Sequence, residues 1–211
     1  MFDALATLLD RAAAAFGALA SLLRNRGRSV VPWKEADMHF LQRGMQYYVS
    51  GRFAALAQEL PVCANLLHHS LEMFLKAALC RVHGKGQLHA MGHNLWKAWL
   101  AFKLAYPDSR LEGFDATVRV LNKFERIRYP DEVLRKGMIA TFDLFREHKS
   151  HSQSYSAKNP PQYKLNLEDV DHLVVVYFEV AQFNPGFLLN SMSPSSRAVL
   201  IDRNRHLLTA A

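Results

Sequence analysis

Apolar residues recur at intervals of three and four along most of the chain, the spacing that places them on one face of an α-helix. The run Cys63, Leu67, Leu71 and Phe74 is an example. The pattern predicts helices over residues 1–24, 33–60, 61–83, 94–107, 109–124 and 166–183. The chain is therefore predicted to be all-α.

Residue types at the predicted boundaries agree with these helices. Pro61 suits the first turn of a helix, and Asn94 and Asn166 each stand where a helix is predicted to begin. Ser109 and Glu112 have the Ser-x-x-Glu spacing of a capping box, in which each side chain satisfies a free backbone donor. This spacing predicts that Ser109 caps a helix.

Three stretches are ambiguous or lack a periodic pattern. Residues 138–145 are compatible with a helix or an extended strand, and the β-branched run at 174–176 leaves a strand possible there. Residues 149–164 are polar and are predicted to form a long loop. Loops of this length in compact domains are usually functional or disordered.

The pattern divides the chain into three parts. Residues 1–31 are an amphipathic helix and a basic connector, residues 32–186 are the main helical domain, and residues 187–211 are a tail that can add a short helix. The apolar seam of the first helix can pack on the domain, pair with a second copy or lie on a membrane surface. Packing within the protein or its oligomer is favoured, and membrane attachment is not expected.

Composition supports a globular protein with a basic surface. Half of the 211 residues are hydrophobic and 21% are charged, which argues against disorder throughout. The net charge of +7 favours loose attraction to nucleic acid or anionic lipid. Cys63 and Cys80 are too far apart on one predicted helix to form a disulfide, so free thiols and a cytoplasmic location are expected.

Three segments resemble the HEPN domain superfamily. Residues 68–79 (HHSLEMFLKAAL) are similar to the second helix of these domains, and residues 92–95 (GHNL) to the start of the third. Residues 124–130 (FERIRYP) resemble the Arg-Tyr-Pro turn of one branch, which contains uncharacterised bacterial-type members. The order and spacing of the three segments agree with the family over about residues 35–130.

The resemblance implies an antiparallel, up-down bundle of four to five helices that commonly dimerises, here with the N-terminal amphipathic helix added. Within it, Glu72, Lys76 and His93 match positions that determine the fold or line a polar seam. Family members include RNases of toxin–antitoxin and defence systems, modules that bind RNA or nucleotides, and proteins without known activity. Their protein partners include antitoxins and nucleotidyltransferase-like proteins.

The family's RNase signature is an arginine followed, after four to six residues, by a histidine. No histidine stands at this spacing after Arg128. Arg146 and His151 have the spacing, but they lie late in the chain, where the family does not place its signature. A histidine base and a cation are what metal-independent RNA cleavage needs, so this pair is the candidate catalytic set.

Other residues are candidates for binding rather than catalysis. Arg128 can contact phosphate and Tyr129 can stack on a base. The polar loop adds Lys149, Tyr155 and Lys158 as binding candidates. Five histidines suggest a metal site at first sight: His68, His69, His83, His89 and His93. No metal site and no cofactor are expected, because Gly92 interrupts the i,i+4 pair His89 and His93 and no carboxylate or cysteine completes a set.

The favoured function is a homodimeric, non-catalytic HEPN-like module that binds RNA, a nucleotide or a partner protein. One alternative is a metal-independent RNase that uses Arg146 and His151. The other is a structural interaction protein that docks a partner or a membrane through its N-terminal helix.

Overall fold

The computed structural model describes residues 36–60, 62–145, 151–155 and 160–209, and its fold is mostly helical. The predicted N-terminal helix over residues 1–24 lies outside the described residues. The described α-helices are Ala36–Leu56 (α1), Val62–Leu79 (α2), Lys85–Met91 (α3), Leu95–Ala105 (α4), Asp115–Phe124 (α5), Pro130–Lys136 (α6), Leu167–Val180 (α7), Gly186–Asn190 (α8), Pro194–Ile201 (α9) and Arg205–Thr209 (α10). Two 3₁₀ helices, Ser109–Phe114 and Glu125–Ile127, precede and follow α5.

A small sheet adds to the predicted all-α architecture. Its strands are Met138–Asp143 (β1), His151–Tyr155 (β2) and Gln162–Asn166 (β3), in the order β2-β1-β3. Strand β1 pairs antiparallel with β2 and parallel with β3. The ambiguous stretch is therefore extended where it forms β1, and the prediction of an unbroken loop over residues 149–164 is wrong.

The physical reason for β3 is visible in its side chains. Tyr163 and Leu165 are buried on alternate positions, between the exposed Gln162 and Lys164. This is the period of two that a half-buried strand requires. Two apolar residues within a polar segment are too short a signal to identify the strand without its partner.

The starts of the helices agree in part with the predictions. Asn94 and Asn166 are N-caps, because their side-chain oxygens accept hydrogen bonds from the backbone N–H groups of Lys97 and Glu168. The predicted cap at Ser109 is wrong: the carboxylate of Asp108 accepts from the backbone N–H of Arg110 instead. The possible strand at residues 174–176 is helical and belongs to α7.

Helix α2 lies at the centre of the core and contacts α1, α4, α5 and α7. Glycines on α1 allow a close approach, since an added Cβ at Gly44 would lie 2.5 Å from the Phe74 ring and one at Gly51 2.9 Å from the Leu67 side chain. The Phe74 ring stacks on the buried Tyr177 of α7.

Cys63 and Cys80 are buried free thiols, as predicted. No described helix combines the length and apolar character that crossing a bilayer requires.

A buried ion pair joins α1, α7 and the C-terminal helices. Arg52 is fully buried, and its guanidinium donates to the carboxylate of Asp171 and to the backbone oxygens of Val199 and Asp202. The Tyr48 hydroxyl donates to the other oxygen of Asp171 at 2.5 Å. The segment around α9 is thus held against α1 by a charged side chain whose three nitrogens all have partners.

Breaking this pair should cost much of the stability of the protein. Asp171→Asn leaves the Arg52 charge buried without a counterion, so we expect a loss of about 3–5 kcal/mol in the free energy of unfolding. The double variant Arg52→Met with Asp171→Asn should lose less unfolding free energy than the two single variants lose in sum, because no charge then stays buried. Urea denaturation measures both effects, and an unchanged midpoint in Asp171→Asn would contradict the expected role of the pair.

Candidate functional site

Residues from three separate segments meet in one polar cluster beside α2. We call it the histidine–glutamate cluster, and it consists of His68, His69, Glu72, Lys76, His93 and Glu125. Four members belong to α2, where positions three and four residues apart share a face. His93 lies in the turn before α4, and Glu125 follows directly after α5.

Glu72 is the centre of the cluster, and its side chain is only 1% exposed. Lys76 Nζ donates to its Oε1 at 2.5 Å, and His93 Nδ1 lies 3.1 Å from Oε1 and 3.2 Å from Oε2. His69 Nδ1 lies 3.4 Å from Oε2. Burial alone would raise the pKa of Glu72, but the hydrogen bonds from His69, Lys76 and His93 outweigh it and lower the pKa to about 2.

His68 is fully buried, and its two ring nitrogens have different surroundings. Nδ1 lies 3.0 Å from the carbonyl oxygen of Leu121, which can only accept, so Nδ1 carries the proton of this hydrogen bond. Nε2 has no hydrogen-bond partner among the described residues. It faces Glu72 Oε2 at 3.9 Å and Glu125 Oε2 at 3.7 Å. Burial lowers the pKa of His68 and so favours the neutral ring.

The cluster reaches the surface through His93, Glu125 and Arg128. The His93 side chain is 65% exposed, so the ring has one nitrogen on Glu72 and the rest of its edge near solvent. Arg128 Nη1 lies 3.5 Å from Glu125 Oε1, and its guanidinium lies 5.6 Å from the centre of the Tyr129 ring. Tyr129 itself is 61% exposed. This edge therefore offers a cation, an imidazole and an aromatic ring to a ligand.

The structure brings some of the predicted site residues together. Lys76 and His93 both contact Glu72, and Arg128 with Tyr129 is linked to them through Glu125 and His68. The remaining candidates cannot be compared in this way. Arg146, Lys149 and Lys158 lie outside the described residues, whereas His151 and Tyr155 are described only as backbone positions of β2.

Sequence reasoning set His68 and His69 aside as metal ligands and missed Glu125 as a member of the site. The i,i+4 spacing of His68 and Glu72, with His69 three residues before Glu72, was the available signal. It places the three side chains near one another on α2. It does not show that Glu125, more than fifty residues later, lies over the same face.

The charge of Glu72 should stabilise the fold only above its lowered pKa. The ionised carboxylate contributes on the order of 3 kcal/mol above pH 4.5, and this contribution is lost as the pH falls from 4.5 to about 2. Glu72→Gln should therefore be much less stable than wild type at neutral pH, with a difference that shrinks in acid. Urea denaturation in EDTA measures this, with the exposed Glu112→Gln as a control that changes little. Equal stability of Glu72→Gln and wild type at neutral pH would contradict this account.

No protein-family model, curated protein or solved structure matches the chain. The resemblance to HEPN domains accordingly stays a prediction, and it depends on the residues of the three segments between 68 and 130.

Proposed function

We propose that this chain is a HEPN-like module that homodimerises and binds RNA or a nucleotide without cleaving it. The observation that carries the proposal is the convergence of the three segments that resemble the family. Glu72 and Lys76 come from the first segment, His93 from the second, and Glu125 with Arg128 from the third. Glu125 joins the others through His68, which belongs to the first segment. Convergence in one polar cluster is typical of a functional site and is not required by helix periodicity alone.

The packing of α1 on α2 supports an antiparallel bundle. Asp37 pairs with Arg81, the Ser70 hydroxyl donates to the carbonyl of Gly44, and Gly51 lies against Leu67. Positions later on α1 thus contact positions earlier on α2, so the two helices run in opposite directions. This is the arrangement that the proposed family fold requires for its first two bundle helices.

The proposed ligand surface consists of the exposed side chains of Arg128, Tyr129 and His93. The ion pair of Arg128 with Glu125 is long and half exposed, and such pairs contribute about 0–1 kcal/mol. A phosphate can therefore replace it at little cost. The exposed Tyr129 ring can stack on a base, and the net charge of +7 favours a polyanion.

The choice of a binding module over an enzyme follows from the sequence at this surface. Residues 133–135, where the family's RNase histidine would follow Arg128, are Val133, Leu134 and Arg135. An antitoxin or a nucleotidyltransferase-like protein is the proposed class of protein partner, within a toxin–antitoxin or defence system. Both assignments rest on the family resemblance.

The ligand surface is tested with fluorescently labelled single-stranded RNA. We expect Arg128→Ala to weaken RNA binding roughly tenfold. The slope of the logarithm of the binding constant against the logarithm of the salt concentration should also fall, by the amount expected for about one lost phosphate contact. Tyr129→Ala should weaken binding with little change in the salt dependence, because stacking involves no ion release. Arg197→Ala, which removes one exposed charge from α9, is the matched control.

Equal losses of RNA affinity in Arg128→Ala and Arg197→Ala would indicate that only the total charge of the protein matters. That result would contradict a defined RNA-binding surface. The same RNA should stay intact with the protein in EDTA. Metal-independent cleavage that His151→Ala abolishes would overturn the non-catalytic assignment in favour of the RNase alternative.

The homodimer is a separate prediction. Phe53, Leu104 and Leu134 are large apolar side chains left 52–85% exposed in the single chain, and a second copy packed on them would remove this apolar surface from water. Sedimentation velocity at micromolar concentration should give a mass of about 48 kDa, twice the 24.0 kDa of the chain. A single species of 24.0 kDa would contradict the proposed dimer.

A further inference from the structure

His68 Nε2 faces two carboxylate oxygens of the histidine–glutamate cluster without a proton between it and either oxygen. The backbone carbonyl of Leu121 fixes the His68 proton on Nδ1, so Nε2 carries a lone pair. That lone pair faces Glu72 Oε2 at 3.9 Å and Glu125 Oε2 at 3.7 Å. Both distances are too long for hydrogen bonds. Nε2 of His68 and Oε2 of Glu125 are buried without a hydrogen-bond partner in the described part of the chain.

Nε2 of His68 and Oε2 of Glu125 have each lost contact with water, and a cation bound between them would compensate both for that loss. We propose that His68, His69 and Glu72 bind one Zn²⁺ ion, with Glu125 as the fourth ligand. Two imidazoles and a carboxylate are a ligand combination that zinc sites use. The sequence led us to expect no metal site, and this proposal replaces that expectation.

The distances among the ligand atoms of His68, His69 and Glu72 are close to those around a tetrahedral ion. The ligand atoms of His68, His69 and Glu72 lie within 4.8 Å of one another. His69 Nδ1 is 3.4 Å from Glu72 Oε2, and His68 Nε2 is 3.9 Å from it. Zinc bonds of about 2.0–2.2 Å give a tetrahedral edge of roughly 3.4 Å, so small side-chain movements bring these atoms into range.

The surrounding contacts orient the proposed ligands. The carbonyl of Leu121 holds His68 with Nε2 turned inward, as backbone carbonyls commonly do for metal-bound histidines. Lys76 donates to Oε1 of Glu72, whereas Oε2 faces the nitrogens of His68 and His69. Oε2 is therefore the oxygen available to the ion. The positive charge of Lys76 disfavours a cation at this site, and the negative charges of Glu72 and Glu125 offset that effect.

The proposed role of the ion is structural. His68 and Glu72 are almost completely buried, so the site has little access for a substrate. Zinc on Glu125 as well as on α2 would join the end of α5 to the central helix. No RNA or nucleotide ligand takes part in this link, so the site can be tested in the absence of one.

The experiment uses the full-length protein without a polyhistidine tag, first stripped with EDTA and then titrated with ZnCl₂ by calorimetry. We expect one ion per chain. His69→Ala and Glu125→Gln should each weaken zinc binding at least about tenfold. Replacing a residue that only supports a metal ligand already lowers metal affinity by about this factor. His89→Ala, which removes an exposed histidine from α3, should bind as wild type does.

Cobalt reports the geometry independently of affinity. Co²⁺ added to the stripped protein should give the intense visible absorption of a tetrahedral site, and Glu125→Gln should alter that spectrum. Circular dichroism in EDTA confirms that the variants fold. Absence of zinc binding to folded wild type would overturn the proposal, as would a weak octahedral cobalt spectrum. Unchanged zinc affinity in folded His69→Ala and Glu125→Gln would place the ion among other histidines and would equally overturn it.

Discussion

Glu72 carries a negative charge on the central helix, at a position that almost no water reaches. Removing an ion from water costs several kcal/mol, so the carboxylate requires partners that stay with it in the folded state. Lys76 and His69 come from the same helix, whereas His93 comes from the turn before α4. Compensation of this one charge therefore fixes that turn against α2 and helps to position α4, whose aromatic residues fill the core.

The buried pair of Arg52 and Asp171 meets the same requirement in a different way. All three guanidinium nitrogens of Arg52 have acceptors, and both oxygens of Asp171 accept hydrogen bonds. Each of these nitrogens and oxygens has a hydrogen-bond partner, so stabilisation of the fold is a sufficient explanation for the pair. The histidine–glutamate cluster differs, because His68 Nε2 and Glu125 Oε2 have no hydrogen-bond partners among the described residues. This contrast, rather than burial alone, points to a ligand.

The sequence predicted those features that depend on neighbours along the chain. Helix α7 and its cap at Asn166 follow from local periodicity and from the preference of asparagine for N-caps. The choice between Asp108 and Ser109 as a cap was not predictable, because either side chain can reach a free backbone donor. The sheet was missed because its evidence is long-range: β1 pairs with two strands that follow in a polar segment.

The candidate site, like the fold, was predicted only in part from the sequence. Glu72, Lys76 and His93 were found through their resemblance to one family. Their helical spacing could not show which element covers them, so Glu125 was not linked to His68. Contacts between α2 and the end of α5 depend on tertiary packing, which residue spacing within one helix does not encode.

Glu125 connects the two proposed ligands. Its Oε1 lies 3.5 Å from Arg128 Nη1, and its Oε2 lies 3.7 Å from His68 Nε2. A divalent cation on Oε2 draws negative charge away from Oε1, which weakens the hold of this carboxylate on Arg128. The guanidinium is then more available to a phosphate. The two proposals together predict that metal binding and phosphate binding are coupled with a positive sign. The predicted coupling is reciprocal, because both ligands act through one carboxylate.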